Sequence, residues 1–355
     1  MPHDASAVEP GAASQHASAL RTATSSVSVG DVMENKGQSL FDQLFSSQAF
    51  WVTIALIIIC VVMTILQPEA FASKANFYNI TRNFAFIGMM AIGMTAVIIT
   101  GGIDLSVGSV MGLVGVVSGL LLQADHAWYV AVLGGLVTGA VAGAINGALV
   151  AYVGLSSFVV TLGMLSFARS LAVVISQNQM IYKLGSDGAV FKAIGGGAIL
   201  GIANPVWVLL ILTVLFGIVL RSTSWGRHLY AVGGNENAAR LTGVPVARVK
   251  MQAYIISGLT AAVSAIMIVG WQGSAINALG SGYELRVIAS TVIGGANLMG
   301  GEGGAYGALI GAALLEVIRN SLLMAGVDSN WQGAFVGVFI VLAVLLEKFR
   351  GRRRS

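Results

Sequence analysis

Long apolar runs separated by short polar stretches fill the chain from residue 50 almost to its end. Each run is close to the roughly 20 residues that an α-helix needs to cross the hydrocarbon core of a bilayer. We predict ten spans, at residues 50–67, 83–100, 104–123, 128–150, 157–177, 205–221, 250–270, 285–301, 304–325 and 331–347. A membrane β-barrel would need segments of about ten residues with alternating polarity, which the chain lacks. The pattern therefore predicts an all-α fold, a polytopic membrane helical bundle of about ten transmembrane helices.

The first 49 residues do not share this pattern. They are rich in Ala, Ser, Gly and Gln and have no periodic apolar positions, which is typical of a disordered tail. They also lack the basic start and short apolar core of a signal peptide. We therefore divide the chain into a disordered tail (1–49), a transmembrane domain (50–347) and a basic C-terminal segment (348–355).

Composition and charge support a membrane protein and indicate its orientation. Charged residues make up 10% of the chain and hydrophobic residues 56%, whereas a soluble domain carries about 25% charged residues. With both termini cytoplasmic, twelve Lys and Arg residues lie on the inner side and five on the outer side. Because basic residues concentrate in cytoplasmic loops, we predict that both termini are cytoplasmic. The only cysteine, Cys60, lies within a span and cannot form an internal disulfide.

One carboxylate, Asp104, stands in the middle of a long uncharged run, in the stretch "ITGGIDLSVGS". A charge at membrane depth costs about 2.5–3.5 kcal/mol on insertion scales. In one interpretation, Gly101 and Gly102 end a helix and Asp104 caps the next one, accepting the amide hydrogen of Ser106 or Val107. In the other, the break lines a solute path, where freed backbone groups face water. The two interpretations are compatible.

Two other charged positions lie within predicted spans. Arg169 is near the centre of its span and should face the bundle interior or water, in either a structural or a functional role. Glu316 and Arg319 are three residues apart on one helix face, so we expect them to pair and neutralise each other.

Small residues recur at a helical spacing in two spans. They are Gly135, Gly139, Gly143 and Gly147 in the first, and Gly303, Gly307 and Gly311 in the second. Such ridges let helices approach closely and gain dispersion contacts, so we expect tight helix packing along both.

The loop at residues 222–249 is the one substantial polar segment between spans on the predicted inner side. It contains a local helix signature over 236–242, with Asn235 or Asn237 as N-cap and Gly243 where a C-terminal glycine belongs. Spacing alone leaves two interpretations open, a connector or a docking element for a partner.

Catalytic signatures do not occur in the sequence. There is no GxxxxGK[ST] motif for binding ATP through a P-loop. The four histidines are scattered without metal-ligand spacing, and no nucleophile elbow is present. We therefore expect no catalytic residues, no metal site and no cofactor in this chain.

Four stretches together resemble one family, the permease subunits of bacterial ABC importers for ribose and related monosaccharides. They are "GGIDLSVGS" (101–109), "NGALVAYVGLSSFVVTLGML" (146–165), "LYAVGGNENAARLTGVPV" (229–246) and "ELRVIASTVIGGANLMGGEGG" (284–304). The resemblance covers roughly residues 50–350, everything except the tail.

The resemblance implies a permease in the bacterial inner membrane, dimerised with an identical copy or a paralogue. It also implies two copies of a cytoplasmic ATPase that carry ATP and Mg, a periplasmic sugar-binding protein outside, and no nucleic-acid partner. The short loop helix should sit in a groove of the ATPase and transmit its closure into the membrane. The residues that match this coupling motif are Gly233, Gly234, Asn235, Glu236, Ala238, Ala239, Arg240 and Gly243.

The sequence also suggests a translocation path and one charge pair. We expect the path to be lined by Gly101, Gly102, Asp104, Ser106, Asn146 and Arg169. Arg286 and Glu302 stand where many relatives have charges of the opposite sign, which suggests a swapped ion pair. Sixteen residues of straight helix span about 24 Å, so contact would need a break near Gly294 and Gly295.

Other functions remain open on the sequence. An ABC permease of the same kind could carry a branched-chain amino acid or a nucleoside. An ion-coupled secondary transporter would use an intramembrane carboxylate such as Asp104 or Glu316 and would need no ATPase. A channel or a purely structural membrane protein is a third class, and the capped cytoplasmic helix favours the ABC permeases over both.

Overall fold

The structure, a computed structural model, describes residues 47–328 and also residues 331, 333, 334, 337 and 338. Most of the predicted tail (1–49), most of the tenth predicted span (331–347) and the basic segment 348–355 lie outside the described residues.

The described chain is a helical bundle, as predicted. In chain order its helices are α1 (Gln48–Leu66), α2 (Pro68–Phe71), α3 (Lys74–Ile99), α4 (Val107–Gln123), α5 (Trp128–Ala151), α6 (Ser157–Ile175), α7 (Gly188–Gly196), α8 (Asn204–Ser222), α9 (Ser224–Gly234), α10 (Glu236–Leu241), α11 (Val246–Gln272), α12 (Tyr283–Ile293) and α13 (Ala305–Met324). Strands β1 (Ala198–Ile199) and β2 (Ile202–Ala203) pair antiparallel between α7 and α8. Within the described residues, seven helices are long and apolar enough to cross a membrane, and α4 is a shorter apolar helix.

The bundle has two ends, which we name after the short helices they carry. At the α10 end, the amide of Gly301 donates to the carbonyl of Ile99, where α3 finishes. At the α7 end, Ile181 and Ala275 exchange backbone hydrogen bonds of 2.9 and 2.8 Å. Successive long helices run between these two ends, in keeping with the short connections in the sequence.

The glycine ridge of α5 packs against α11. A Cβ atom on Gly139 would lie 2.4 Å from the carbonyl oxygen of Gly258. A Cβ atom on Gly143 would lie 2.3 Å from the carbonyl oxygen of Tyr254. Neither position has room for a side chain, which confirms the tight packing predicted for this ridge.

The second predicted ridge is correct for two of its three glycines. Cβ atoms on Gly307 and Gly311 would lie 2.2 and 1.9 Å from the carbonyl oxygens of Gly294 and Ser290. Gly303 instead precedes α13, with φ of +147°, and belongs to a turn rather than to the helix. The ridge therefore packs α13 against α12 but is one turn shorter than predicted.

The predicted span 285–301 is wrong in its extent. Helix α12 has 11 residues, about 16 Å of helix, and is too short to cross a bilayer. It stops because the chain turns at Gly294 and then at Gly295, whose φ of +102° disfavours residues with a side chain.

The chain between α11 and α12, residues 273–282, is not helical, and we call it the re-entrant segment. It runs along α4 from the α7 end inward. A Cβ atom on Gly119 would lie 2.7 Å from the Cβ of Ala275, and one on Gly108 would lie 2.3 Å from the carbonyl oxygen of Gly280. Eleven residues of helix separate these two glycines, so the segment follows α4 for about 16 Å.

Candidate functional site

The short helix predicted in the polar loop is present as α10 and is capped at both ends. The side-chain oxygen of Asn235 accepts a hydrogen bond from the amide of Ala238 at 3.0 Å. Gly243 follows the helix with φ of +83°, the left-handed conformation that ends many helices. Local residues thus cap α10 at both ends.

Glu236 ties α10 to the bundle. Its carboxylate accepts a hydrogen bond from Lys250 of α11 and forms an ion pair with Arg240 at 3.2 Å. The hydrogen bond from Lys250 is the main cause that lowers the pKa of Glu236 below its usual value. Ala239 is buried at the same contact, with 4% of its surface exposed. Glu236 and Ala239, two predicted coupling residues, therefore hold α10 in place.

The outward face of α10 is free within the described structure. Ala238 and Arg240 are exposed, and Leu241 is 89% exposed, an unusual state for a leucine beside a rigid, capped turn. The exposure of Leu241 was not predicted, because a leucine at the end of a short apolar helix is expected to be buried.

Helix α9 was not predicted, and it connects α10 to the bundle interior. A Cβ atom on Gly233 would lie 1.7 Å from the carbonyl oxygen of Ile99, so α9 and the end of α3 are in direct contact. The Tyr230 hydroxyl donates to the carbonyl of Gly303 at 2.7 Å. A Cβ atom on Gly234 would meet open space, so that position has room for a side chain. Movement of α10 would therefore reach both α3 and the turn before α13.

Asp104 lies at the centre of a buried polar cluster and is 2% exposed. Its Oδ1 atom accepts hydrogen bonds from the amide and hydroxyl of Ser106, at 3.0 and 2.6 Å. Its Oδ2 atom accepts one from the Ser257 hydroxyl of α11 at 2.7 Å. The predicted bond from the Ser106 amide is present, but the N-cap residue of α4 is Ser106, because the helix begins at Val107.

Asn146 completes this cluster from α5. Its side-chain amide donates to the Ser106 hydroxyl at 2.9 Å, and Asn146 is itself 1% exposed. Gly101 ends α3 with φ of +76°, as expected. A Cβ atom on Gly102 would lie 2.6 Å from the Tyr254 hydroxyl, so that position is also closed. Protein thus encloses the side chains of this cluster, as the structural interpretation of Asp104 requires, and the role of Asp104 in a solute path stays a prediction.

Arg169 lies apart from this cluster and anchors the re-entrant segment. Its Nη1 atom donates to the carbonyl oxygens of Asn277 and Leu279, at 3.0 and 2.8 Å. The predicted path residues therefore fall into two groups, a closed cluster around Asp104 and a half-buried Arg169 beside non-helical backbone. No local pattern indicates the hydrogen-bond partners of Arg169, because those partners are backbone carbonyls.

The two predicted charge pairs have opposite outcomes. Glu316 and Arg319 form a bidentate pair, with Nη2–Oε1 and Nε–Oε2 distances of 2.6 and 2.9 Å, as predicted. In the part of the chain that the structure describes, Arg286 and Glu302 form no ion pair, and the Arg286 guanidinium instead lies 5.7 Å from the centre of the Tyr283 ring. The hypothesis of a swapped pair is therefore wrong in this structure, although the chain does break at Gly294 and Gly295.

Comparison with known proteins gives the context of these sites. The family model described as "Branched-chain amino acid transport system / permease component" matches residues 76–344. The chain belongs to this permease family. It is 39% identical over 301 residues, 85% of this chain and 89% of the relative, to a probable ABC transporter permease protein, y4mJ, of Sinorhizobium fredii.

Two further relatives of the permease carry more specific names. The ribose import permease protein RbsC of Escherichia coli is 38% identical over 295 residues, which cover 83% of this chain and 92% of the relative. The L-arabinose ABC transporter permease protein AraH of Azospirillum brasilense is 31% identical over 303 residues, which cover 85% and 88%. Membership of the family makes this chain a multi-pass membrane permease subunit, not an enzyme.

Proposed function

We propose that the chain is the membrane-spanning subunit of an ATP-driven importer of a monosaccharide such as ribose. The observation that carries this proposal is the 38% identity to a ribose import permease along 83% of the chain. The L-arabinose permease, at 31% identity, extends the same solute class to a second pentose.

The proposal places the permease in the inner membrane with both termini cytoplasmic and ten spans, the last at residues 331–347. A second permease copy faces it, and a periplasmic binding protein delivers sugar at the α7 end. The α10 end then faces the cytoplasm, where an ATPase subunit holds ATP and Mg. The permease itself lines the path and hydrolyses nothing.

The docking element for the ATPase is α10. Its two caps and the Glu236–Lys250 contact give it one orientation, and Leu241 offers an apolar side chain that is 89% exposed. Burial of a leucine side chain contributes about 1.5–3 kcal/mol, enough to matter in a docking contact. Closure of the ATPase pair would be transmitted through α9 to the end of α3, which Gly233 touches.

Docking is tested with Leu241→Asp and a matched control, Leu200→Asp. Leu200 is 87% exposed and lies between β1 and β2 near the α7 end, so the same substitution is made at equal exposure on the opposite side. We expect Leu241→Asp to abolish co-purification of the ATPase and ribose uptake into vesicles, whereas Leu200→Asp keeps co-purification. ATPase binding by Leu241→Asp at the wild-type level would remove the assigned role of α10.

A second candidate function is import of a branched-chain amino acid, favoured by the description of the matching family model. Vesicle uptake of ribose, L-arabinose, a hexose and leucine, with the partner ATPase and binding protein present, separates the two. We expect transport of a sugar and none of leucine. Uptake of leucine alone would overturn the sugar assignment and leave the permease architecture intact.

A further inference from the structure

An apolar groove opens on the surface of the bundle, toward its α7 end. It has a volume of about 960 Å³, and residues of α1, α3, α8 and α13 line it. Leu56, Cys60 and Thr64 of α1 line it at a four-residue spacing, which places them on one face of that helix. Thr64 is exposed, whereas Ile80 and Val317, which also line the groove, are buried. Within the described residues, the groove is therefore closed toward the bundle and open outward.

Little in this groove can hold water. The Thr64 hydroxyl donates to the carbonyl oxygen of Cys60 at 2.8 Å, and the Thr81 hydroxyl donates to that of Phe77 at 2.9 Å. Both hydroxyls are therefore engaged within their own helices, and most of the remaining lining is aliphatic or aromatic. A cavity of this kind stays dry and takes apolar occupants. Because the groove opens on the outside of a membrane bundle, the apolar material that surrounds it is lipid.

The length of the groove matches one leaflet of a bilayer. Lys74, the first residue of α3, lines it at the α7 end, and Phe84 lines it further along the same helix. Ten residues of helix separate these two positions, which is about 15 Å. The hydrocarbon core of a bilayer is about 30 Å thick, so the groove reaches from the headgroup region to about the midplane. One acyl chain lying along the bundle would fill this length.

A cation lies at the end of the groove where a lipid headgroup would be. Lys74 is exposed and forms no ion pair with any residue that the structure describes. Ala75 follows it in the lining, and the first amide groups of α3 lack partners within the helix and favour negative charge. Glu69, the nearest carboxylate along the chain, is not among the lining residues. This end of the groove therefore favours an anionic group such as a lipid phosphate.

We propose that the groove binds one acyl chain of an anionic phospholipid from the leaflet at the α7 end, with the lipid phosphate beside Lys74. The bound chain covers the groove face of α1, a helix whose buried residues are Val52 and Met63, and so stabilises its packing on the bundle. The inference requires only that the bundle crosses a membrane, and it holds whichever solute the permease carries.

Native mass spectrometry of the purified full-length permease tests this site. The delipidated protein is given equal amounts of phosphatidylglycerol and phosphatidylethanolamine with the same acyl chains. Cys60→Trp and Thr64→Trp place an indole in the groove, and Ile57→Trp, at a position of α1 that is 56% exposed and outside the groove, is their matched control. Lys74→Gln removes the charge, and Lys183→Gln, at an exposed lysine outside the groove, is its control.

We expect wild type to retain one phosphatidylglycerol per chain, and both groove variants to lose it while Ile57→Trp keeps it. Because Thr64 is exposed, Thr64→Trp keeps the fold even where Cys60→Trp does not. Lys74→Gln should lower the preference for phosphatidylglycerol about fivefold, since a basic residue near an anionic surface contributes about 1 kcal/mol. Lys183→Gln should leave that preference unchanged.

Three results would overturn the proposal. The first is equal retention of lipid by the groove variants and by Ile57→Trp. The second is a preference for phosphatidylglycerol that Lys74→Gln and Lys183→Gln change to the same extent. The third is a wild-type permease that retains no phospholipid, which would leave the groove to the predicted span 331–347 or to a second copy of the chain.

Discussion

Two stretches of non-helical backbone lie inside the bundle, residues 100–106 and the re-entrant segment 273–282, and they are built in opposite ways. In the first, Asp104 accepts hydrogen bonds from Ser106 and from Ser257, and protein covers all three residues. In the second, Arg169 holds the backbone from one side while Ser281 on the other remains exposed.

The comparison shows that non-helical backbone between membrane helices can be held in place in two different ways. At the first break, the hydrogen bonds from Asn146 to Ser106 and from Ser257 to Asp104 join the start of α4 to α5 and α11. The second stretch is instead held by one side chain, Arg169 of α6, which donates to two of its carbonyl oxygens. Asp104, the carboxylate that stands out in the sequence, belongs to the first stretch, residues 100–106, which we call the closed break.

The largest expected effect comes from Asp104→Ala at the closed break. It leaves the Ser106 amide, the Ser106 hydroxyl and the Ser257 hydroxyl without their acceptor. Buried donors without partners cost about 1–3 kcal/mol each, so we expect a loss of about 3 kcal/mol or more in the free energy of unfolding. Thermal unfolding of the purified permease in detergent measures this, with Asp104→Asn as the milder control that keeps an acceptor. A variant as stable as wild type that has lost only uptake would place Asp104 in the path after all.

A smaller stability effect and a larger functional one are expected from Arg169→Gln. The substitution removes charged hydrogen bonds to the Asn277 and Leu279 carbonyls, worth about 1.5–3 kcal/mol each when formed by a charged group. Because Arg169 is half-buried and water can replace part of the lost donors, we expect less destabilisation than for Asp104→Ala but a loss of uptake. Arg169→Lys keeps the charge and one donor and should restore part of the uptake. If Arg169→Gln lowered the free energy of unfolding as much as Asp104→Ala does, the two non-helical stretches would not differ in their contribution to stability.

We expect the smallest effect on stability at the ion pairs that Glu236 forms with Arg240 and Lys250. This effect is the one against which the changes at the two non-helical stretches are compared. The lowered pKa of Glu236 means that its ionised form stabilises the folded state. That contribution is present above the unfolded pKa of about 4.3 and is lost as the pH falls below it. Glu236→Gln should therefore cost about 0.2–1 kcal/mol at pH 7 and progressively less as the pH falls from the unfolded pKa through the lowered folded pKa, measured as the difference in unfolding free energy from wild type. A deficit that persists unchanged at pH 3 would mean that charge is not the cause.

The sequence predicts well what local signals determine. Asn235 and Gly243 predict α10 because a capping side chain and a left-handed glycine act within one or two turns. The ridge of α5 is predictable for the same reason, since glycines four residues apart share one face of a helix.

Other features depend on distant backbone and leave no local pattern. Arg169 bonds to carbonyl oxygens more than 100 residues further along the chain, and every residue has a carbonyl. Gly294 ends α12, whereas Gly139 sits inside α5, and nothing in their neighbouring residues distinguishes a glycine that breaks a helix from one that packs it. The extent of α12 therefore required the structure.

The central claim is that this bundle takes its driving force from a separate ATPase bound at its α10 end. Its most direct test is uptake of labelled ribose into liposomes that contain the purified permease, with or without the ATPase, and with the binding protein present throughout. We expect uptake only when the ATPase and ATP are both present, and none from a proton or sodium gradient alone. Uptake driven by an ion gradient through the permease without the ATPase would contradict the claim.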